Sequence, residues 1–261
     1  MLITVFTPTY NRAYKLKELF DSLMSQTFND FEWVVVDDGS TDGTEPLIAQ
    51  FKNKAPFPIK YIKTPNGGKH RAINEGVRKA SGSLFFIVDS DDNLPQDALQ
   101  IIATEWGSIS PERQNELAGL CGERNIIGSK NDSFPFESLE CSAMDLTYKY
   151  NIYFDKSEIF RTEVLKQYPF PTFESEKFVP ESFIWNLITN KFPMHYFNKK
   201  VYNSEYLDDG YTKNFRKNLI SNPKGFALFY KSIVSNKHIP LIQRIKSLLR
   251  VLQCYYYILL K

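Results

Sequence analysis

The chain predicts an α/β fold: a Rossmann-like, mostly parallel sheet with helices on both faces, continued by a C-terminal helical extension. Three observations carry this. Short apolar runs alternate with helix-period segments through the first half, and that order builds a parallel sheet. Each run ends on a loop of small, acidic or basic residues, and ligands of open α/β sheets sit just beyond the carboxyl ends of the strands. Beyond Gly210 the acidic residues stop, and helix-period segments remain.

The elements follow in order. Leu2–Thr7 reads as a strand, followed by the turn Pro8-Thr9-Tyr10-Asn11. Arg12–Gln26 is helical by pattern, because Leu16, Leu19, Phe20 and Leu23 share one face. Phe31–Val36 is a second strand, closed by Asp37-Asp38-Gly39-Ser40. Thr41 or Asp42 can cap the next helix, which runs to about Lys54. Ile59–Ile62 is a short strand, Asn66-Gly67-Gly68 a loop, and Lys69–Lys79 a helix ending near Gly82. Leu84–Val88 is apolar throughout, as a strand covered on both faces is, and Gln96–Trp106 is helical. The second half is less regular. Glu116–Ile126 and Phe154–Phe160 read as strands, and Glu163–Gln167 and Pro180–Thr189 as helices, with Pro180 in a first turn. Met194–Glu205 reads as one or two strands. Two helices are expected from Asn214 onward, broken near Asn236–Pro240.

Composition narrows the class. The 261 residues are 43% apolar and 15% aromatic, enough to bury a sizeable core. Three widely spaced cysteines, Cys121, Cys141 and Cys254, fit neither a disulfide framework nor zinc spacing, which favours a reducing, cytoplasmic setting. Met1 runs straight into an apolar strand without a basic leader, so no signal peptide is expected. The net charge of +2 hides an asymmetry. Residues 210–261 hold ten Lys and Arg and no acid, leaving 22 basic against 30 acidic residues, or −8, in residues 1–209. A basic tail on an acidic body suggests contact with an anionic surface. The last helix is amphipathic: Ile242, Ile245, Leu249, Leu252 and Tyr256 on one face, Gln243, Lys246, Arg250 and Gln253 on another. Charges interrupt its apolar run, so it does not read as a membrane span. It suits a membrane interface, docking on its own domain, or a second subunit in a homodimer.

The chemistry concentrates in Asp89-Ser90-Asp91-Asp92, three carboxylates directly after a buried strand. Crowded carboxylates repel unless cations or donors compensate, and hard divalent cations take oxygen ligands. The loops at 7–12, 37–40 and 66–69 fall at the same sheet edge and add Arg12, Lys69 and Arg71. Such a set suits a nucleotide: carboxylates accept from base and ribose, while cations and metal meet a diphosphate. Alone, Asp37-Asp38-Gly39-Ser40 is equally a turn with a helix cap. His70 sits between Lys69 and Arg71, near a donor or in solvent, and no Cys/His cluster supports zinc.

Taken together, these loops closely resemble the motifs of family 2 glycosyltransferases with the GT-A fold. Thr7-Pro8-Thr9-Tyr10-Asn11-Arg12, Val34–Thr44, Asn66–Gly76 and Asp89-Ser90-Asp91-Asp92 carry the match, which covers about residues 1–211. The resemblance implies a domain at 1–212, with a nucleotide-sugar half at 1–110 and an acceptor half at 111–212, followed by the basic extension 213–261. Thr7, Pro8, Tyr10 and Arg12 would line the donor pocket. Asp38 would hold the base, typically uracil, with Lys69 and Asn74 near the donor. Asp89, Ser90 and Asp91 would contact ribose and a Mn²⁺ or Mg²⁺ ion, with Asp92 a further metal candidate. The segment Asp155–Arg161 resembles a strand beside the acceptor. Glu181 would be the catalytic base, with Glu176 and Glu174 as alternatives and a helix-terminus charge as its structural reading. Tyr206–Thr212 resembles a loop closing over the donor.

The implied reaction is inverting transfer from a nucleotide sugar, a UDP-sugar first, to a glycan or lipid-linked acceptor in bacterial surface polysaccharide assembly. The implied place is the cytoplasm or the inner face of its membrane, and no nucleic-acid partner is expected. The Gln-x-x-Arg-Trp motif of processive synthases is missing. The rivals are a sugar-nucleotide nucleotidyltransferase and a non-catalytic binding subunit. The first usually opens on a Gly-rich loop, and Thr7–Arg12 has no glycine. The second would not need every carboxylate intact. Glycoside hydrolysis also uses paired carboxylates but leaves the nucleotide-type loops unexplained.

Overall fold

The computed structural model describes residues 1–126, 128, 132–204 and 215–260. Its first half alternates as expected: β1 (Ile3–Thr9), α1 (Ala13–Met24), β2 (Phe31–Asp37), α2 (Thr44–Lys54), β3 (Ile59–Lys63), α3 (Lys69–Lys79), β4 (Leu84–Ile87) and α4 (Ala98–Ser108). The second half holds α5 (Pro111–Glu116), β5 (Gly119–Ile126), β6 (Ser138–Cys141), α6 (Ala143–Tyr148), β7 (Lys156–Arg161), α7 (Thr162–Gln167), α8 (Glu181–Thr189) and β8 (Met194–Ser204). It closes with α9 (Phe215–Ser221), α10 (Pro223–Ser235) and α11 (Leu241–Leu259).

The strands form one eight-stranded sheet in the order β3-β2-β1-β4-β7-β5-β8-β6. The parallel expectation holds for β3-β2-β1-β4. Past β4 the sheet is mixed: β7 runs antiparallel to both β4 and β5, and β6 antiparallel to β8. Strand alternation sorts the core onto two faces. Val5, Trp33, Val35 and Phe86 meet the apolar stripes of α1, α2 and α4. Phe6, Val34, Val36 and Phe85 meet α3, α7 and α8 on the other face. Leu16, Leu19, Phe20 and Leu23 of α1 are all buried, which the 3, 4, 7 spacing anticipates.

Several boundaries differ from the sequence reading. Glu116 ends a short helix, not a strand, because Ser110 accepts from the Arg113 amide and Pro111 starts a turn. Pro180 is the residue before α8 and leaves Glu181 at its first position. The short β6 and α6 lie in a stretch with no clear period. The tail holds three helices where two were expected: Asn222 and the missing amide of Pro223 separate α9 from α10. The cysteines are free and buried. Among the described residues no helix is long and apolar enough to cross a membrane.

Candidate active site

The four strand-end loops meet at one edge of the sheet. They are pinned to one another by short bonds. Asn11 adopts a left-handed conformation (φ 53°). Its side chain accepts from the Thr41 amide at 2.8 Å, while its own amide donates to Ser40 Oγ at 2.8 Å. Asp37 braces the turn after β2, accepting from the Ser40 amide at 2.7 Å and the Tyr61 hydroxyl at 2.6 Å. Asp38 holds the next loop: Gly67 and Gly68 donate their amides to its carboxylate at 2.7 and 2.8 Å, and Asn66 Nδ2 donates at 3.1 Å. Gly68 has φ +94°, and a Cβ there would come within 1.9 Å of the Lys177 carbonyl. Only glycine lets α3 begin so close to the chain before α8.

These loops enclose a cleft of about 440 Å³ lined by Pro8, Thr9, Tyr10, Arg12, Asp38, Asn66, Gly68, Lys69, Asp89, Ser90, Asp91 and Lys177. Its size suits one nucleotide-like ligand. At its centre Lys69 Nζ lies 2.7 Å from Asp89 Oδ1 and 2.8 Å from Glu181 Oε1. The lysine joins the loop after β4 to the start of α8, residues far apart in sequence. Burial by itself would lower the Lys69 pKa, but the two carboxylates outweigh it and raise it. Burial likewise opposes ionisation of Asp89, and Lys69 overcomes it, so Asp89 titrates below the ordinary range. Asp91 shifts upward, first through burial and then through Asp89 beside it.

The structure brings Pro8, Tyr10, Arg12, Asp38, Lys69, Asp89, Ser90 and Asp91 to the cleft wall and Glu181 to its lysine. Three expected positions lie elsewhere. Thr7 is fully buried below the sheet edge, where its hydroxyl accepts from Trp33 Nε1 at 2.9 Å. Thr9, one step nearer the edge, lines the cleft instead, and its buried hydroxyl has no partner among the described residues. Asn74 faces away from the cleft: its amide clamps the Phe170 backbone, donating at 2.9 Å and accepting at 2.8 Å. Asp92 turns inward and accepts from the Tyr202 hydroxyl at 2.7 Å. Burial, then Asp89, pushes its pKa up to about 7 against that hydrogen bond.

The alternative bases lie away from the cleft. Glu176 is buried and accepts from the Lys224 and Gly225 amides at 2.8 and 2.9 Å, capping α10. Glu174 is exposed on the preceding turn. His70 is neither in the cleft nor in solvent: it is 2% exposed, and neither ring nitrogen reaches a full hydrogen bond among the described residues. Burial and then the Arg71 charge push its pKa down to about 4, and an approach to the Lys177 backbone offsets this only partly. The segment 206–212 lies outside the described residues.

Sequence reasoning placed Asn66 in a strand-end loop but gave it, Lys177 and Tyr202 no role of their own. Lys177 donates to Asn66 at the cleft wall. Tyr202 supports the acidic loop from β8, donating to Asp92 and accepting from the Asp89 amide at 3.0 Å, with Arg124 stacked 4.1 Å over its ring. Its only sequence signal was an aromatic residue in a strand.

A divalent ion fits the cleft chemically. Asp89 and Asp91, two positions apart on the loop after β4, both present carboxylate oxygens to the cleft. Burial first, then the Asp89 charge, raises the Asp91 pKa, so a cation there would favour its ionised form. Among the described residues no group of three or more His, Cys, Asp or Glu gathers as a metal cage. Two carboxylates plus ligand phosphates suit Mg²⁺, which rarely uses an all-protein cage.

Comparison with known proteins places the chain. The family described as Glycosyl transferase family 2 matches residues 4–174. The poly(ribitol-phosphate) beta-N-acetylglucosaminyltransferase TarS of Staphylococcus aureus is 36% identical over 168 residues, covering 64% of this chain and 28% of that protein. The abequosyltransferase RfbV of Salmonella typhimurium is 42% identical over 107 residues, covering 40% of this chain and 32% of the other. The chain thus spans about a third or less of the length of these relatives. Among solved structures, S. aureus TarS 1–349 in complex with UDP-GlcNAc aligns with a TM-score of 0.66 at 20% identity, over 98% of this chain and 73% of the other. A mannosyltransferase of Pyrobaculum calidifontis in complex with GDP-Man and Mn²⁺ aligns with a TM-score of 0.60 at 20% identity, over 98% and 69%. At those identities the structural likeness speaks for the GT-A fold alone.

Proposed function

The chain belongs to glycosyl transferase family 2, and from that premise we propose that it moves a sugar from a UDP-sugar to a hydroxyl of a glycan or lipid-linked acceptor, with inversion, in surface-polymer assembly. The observation that carries this is the Asp89–Lys69–Glu181 array in the strand-end cleft. It sets a charge-binding loop and a carboxylate on opposite sides of one small space. The polymer class draws support from the name of one relative, TarS, which specifies N-acetylglucosaminyl transfer to poly(ribitol phosphate), while the RfbV name specifies abequosyl transfer, so the sugar differs between relatives.

The residues divide the work as follows. Asp38, whose carboxylate already collects the 66–68 loop, borders the base end of the donor. Arg12 and Lys69 stand where a diphosphate would lie, and cations there offset the charge that grows as the sugar–phosphate bond breaks. Asp89 and Asp91 would hold Mg²⁺ or Mn²⁺, which when bound supplies Lewis-acid stabilisation to the leaving nucleoside diphosphate. Lys69 holds Glu181 by Oε1, leaving the second oxygen to take the proton of the acceptor hydroxyl. The acceptor oxygen then forms its bond to the anomeric carbon as the bond to the diphosphate oxygen breaks. One displacement inverts the centre, and the proton ends on Glu181.

A thermal-shift panel of UDP-, GDP- and dTDP-sugars with and without Mn²⁺ tests the donor. A UDP-sugar should raise the melting temperature by mass action, and more so with metal. Asp91→Asn should abolish the metal increment. No stabilisation by any nucleotide sugar, or full transfer by a folded Asp91→Asn, Glu181→Gln double variant, would defeat the proposal.

A further inference from the structure

Helix α11 is packed on one side only. Ser247, Val251 and Cys254 are buried against the rest of the protein, and α10 is its chief neighbour. The other side is apolar and open: Ile242, Ile245, Leu249, Leu252, Tyr256 and Leu259 are each more than half exposed, Leu259 to 84%. At helical pitch these six project within an arc of roughly 100°. An apolar stripe of that width normally faces a core, and an exposed one marks an interaction surface.

Charge decides what meets it. Lys246 and Arg250 are exposed along one border of the stripe, and Lys231 of α10 lies 4.9 Å over the ring of Tyr255. Residues 210–261 hold ten Lys and Arg and no Asp or Glu. A second copy docked on this face would bring two cationic, acid-free patches together, because a two-fold interface joins the same surface of both copies. An anionic bilayer answers both features at once, taking the leucines at the acyl boundary and the cations at the headgroups. The helix lies on such a surface, since no described helix is long and apolar enough to span.

We infer that α11 docks the protein on anionic lipid, with Leu249 and Leu252 inserted and Lys246 and Arg250 on the headgroups. The docking face is coupled to the cleft. Glu176 caps α10, on which α11 packs, and Lys177, its neighbour in sequence, lines the cleft wall. Membrane binding therefore fixes the orientation of the cleft over the lipid surface. The inference stands apart from the transfer reading, because binding to vesicles is measured without turnover.

The test is co-sedimentation of the full chain with vesicles of equimolar phosphatidylglycerol and phosphatidylcholine, and with phosphatidylcholine alone. The protein should pellet with the first and stay in solution with the second. Leu249→Glu with Leu252→Glu should weaken binding at least roughly tenfold. Lys246→Glu with Arg250→Glu should weaken it by about tenfold at low salt and by less at high salt. All four side chains are exposed, and melting temperatures check that the variants stay folded; because Arg250 also lies 5.6 Å over the Phe215 ring, Lys246→Glu alone carries the test if a double variant melts lower. Absence of pelleting, equal pelleting with both vesicles, or a soluble dimer that dissociates in the Leu249→Glu, Leu252→Glu variant would each overturn the inference.

Discussion

The two walls of the cleft are built differently. The wall made by β1, β2 and their loops is held by main-chain amides: Asp38 and Asn11 each accept from an amide of a neighbouring loop, and Asp37 from the Ser40 amide of its own turn. The wall made by the start of α8 is held by side chains from afar: Lys69 to Glu181, Glu176 to the amides of α10, Lys177 to Asn66. Backbone bonding fixes the first wall before any ligand arrives. The second depends on a few ion pairs and caps, so its geometry is open to single substitutions. In physical terms the first wall is a preorganised receptor and the second an adjustable one, which suits a fixed donor and a variable acceptor.

The sharpest way to break this contrast is Glu181→Gln. Removing the proposed base while keeping the shape should lower transfer by roughly 10²–10⁴-fold, read as turnover at saturating donor, with donor affinity nearly unchanged. A variant that lost donor binding instead would show that Glu181 belongs to the first wall. Asp38→Ala should hit the first wall in the opposite manner. It orphans the amides of Gly67 and Gly68, costing about 4 kcal/mol at roughly 1–3 kcal/mol per buried donor. The expected outcome is a lower urea midpoint and lost UDP affinity together.

His70 tests the seam between the walls, since α3 abuts Lys177 there. Its pKa is depressed to about 4, so the folded protein binds fewer protons than the unfolded chain between about pH 4 and 6.5. Stability is therefore full above pH 6.5 and falls as pH drops toward 4, by on the order of 3 kcal/mol. Urea titrations of His70→Gln across that range should show a flatter profile; an unchanged slope would place the acid sensitivity elsewhere. The smallest effect belongs to Glu176→Gln. Losing the charge at the α10 N-terminus should cost about 1 kcal/mol and reduce turnover a few-fold through Lys177 without moving the donor affinity. A large loss of donor affinity would erase the distinction between the walls.

The contrast also explains what could be read in advance. The strand-end loops were legible because each is a contiguous string at a strand end, and a parallel sheet must place such ends together. Thr7 was misplaced by one step of strand alternation: it shares a face with Thr9 but lies roughly 7 Å deeper, under Trp33. Asn74 follows Lys69 by five residues, which turns it about 140° round the helix, toward Phe170. Asp92 was inseparable from Asp89 and Asp91 by sequence, because its partner Tyr202 stands 110 residues away.

By itself the sequence determined the alternating half, the sheet edge that carries the loops, and the amphipathic, acid-free tail, since all three follow from local period and charge. Only the tertiary structure decided the rest. It reversed β7 and so set the mixed half beside β4. It turned Asp92 inward while leaving Asp89 and Asp91 in the cleft, and it made Glu176 a cap while joining Glu181 to Lys69. The reason is the range of the forces involved. Periodicity is written in neighbours, whereas a carboxylate's role is set by whichever donor, cation or apolar wall the fold brings within about 3 Å of it.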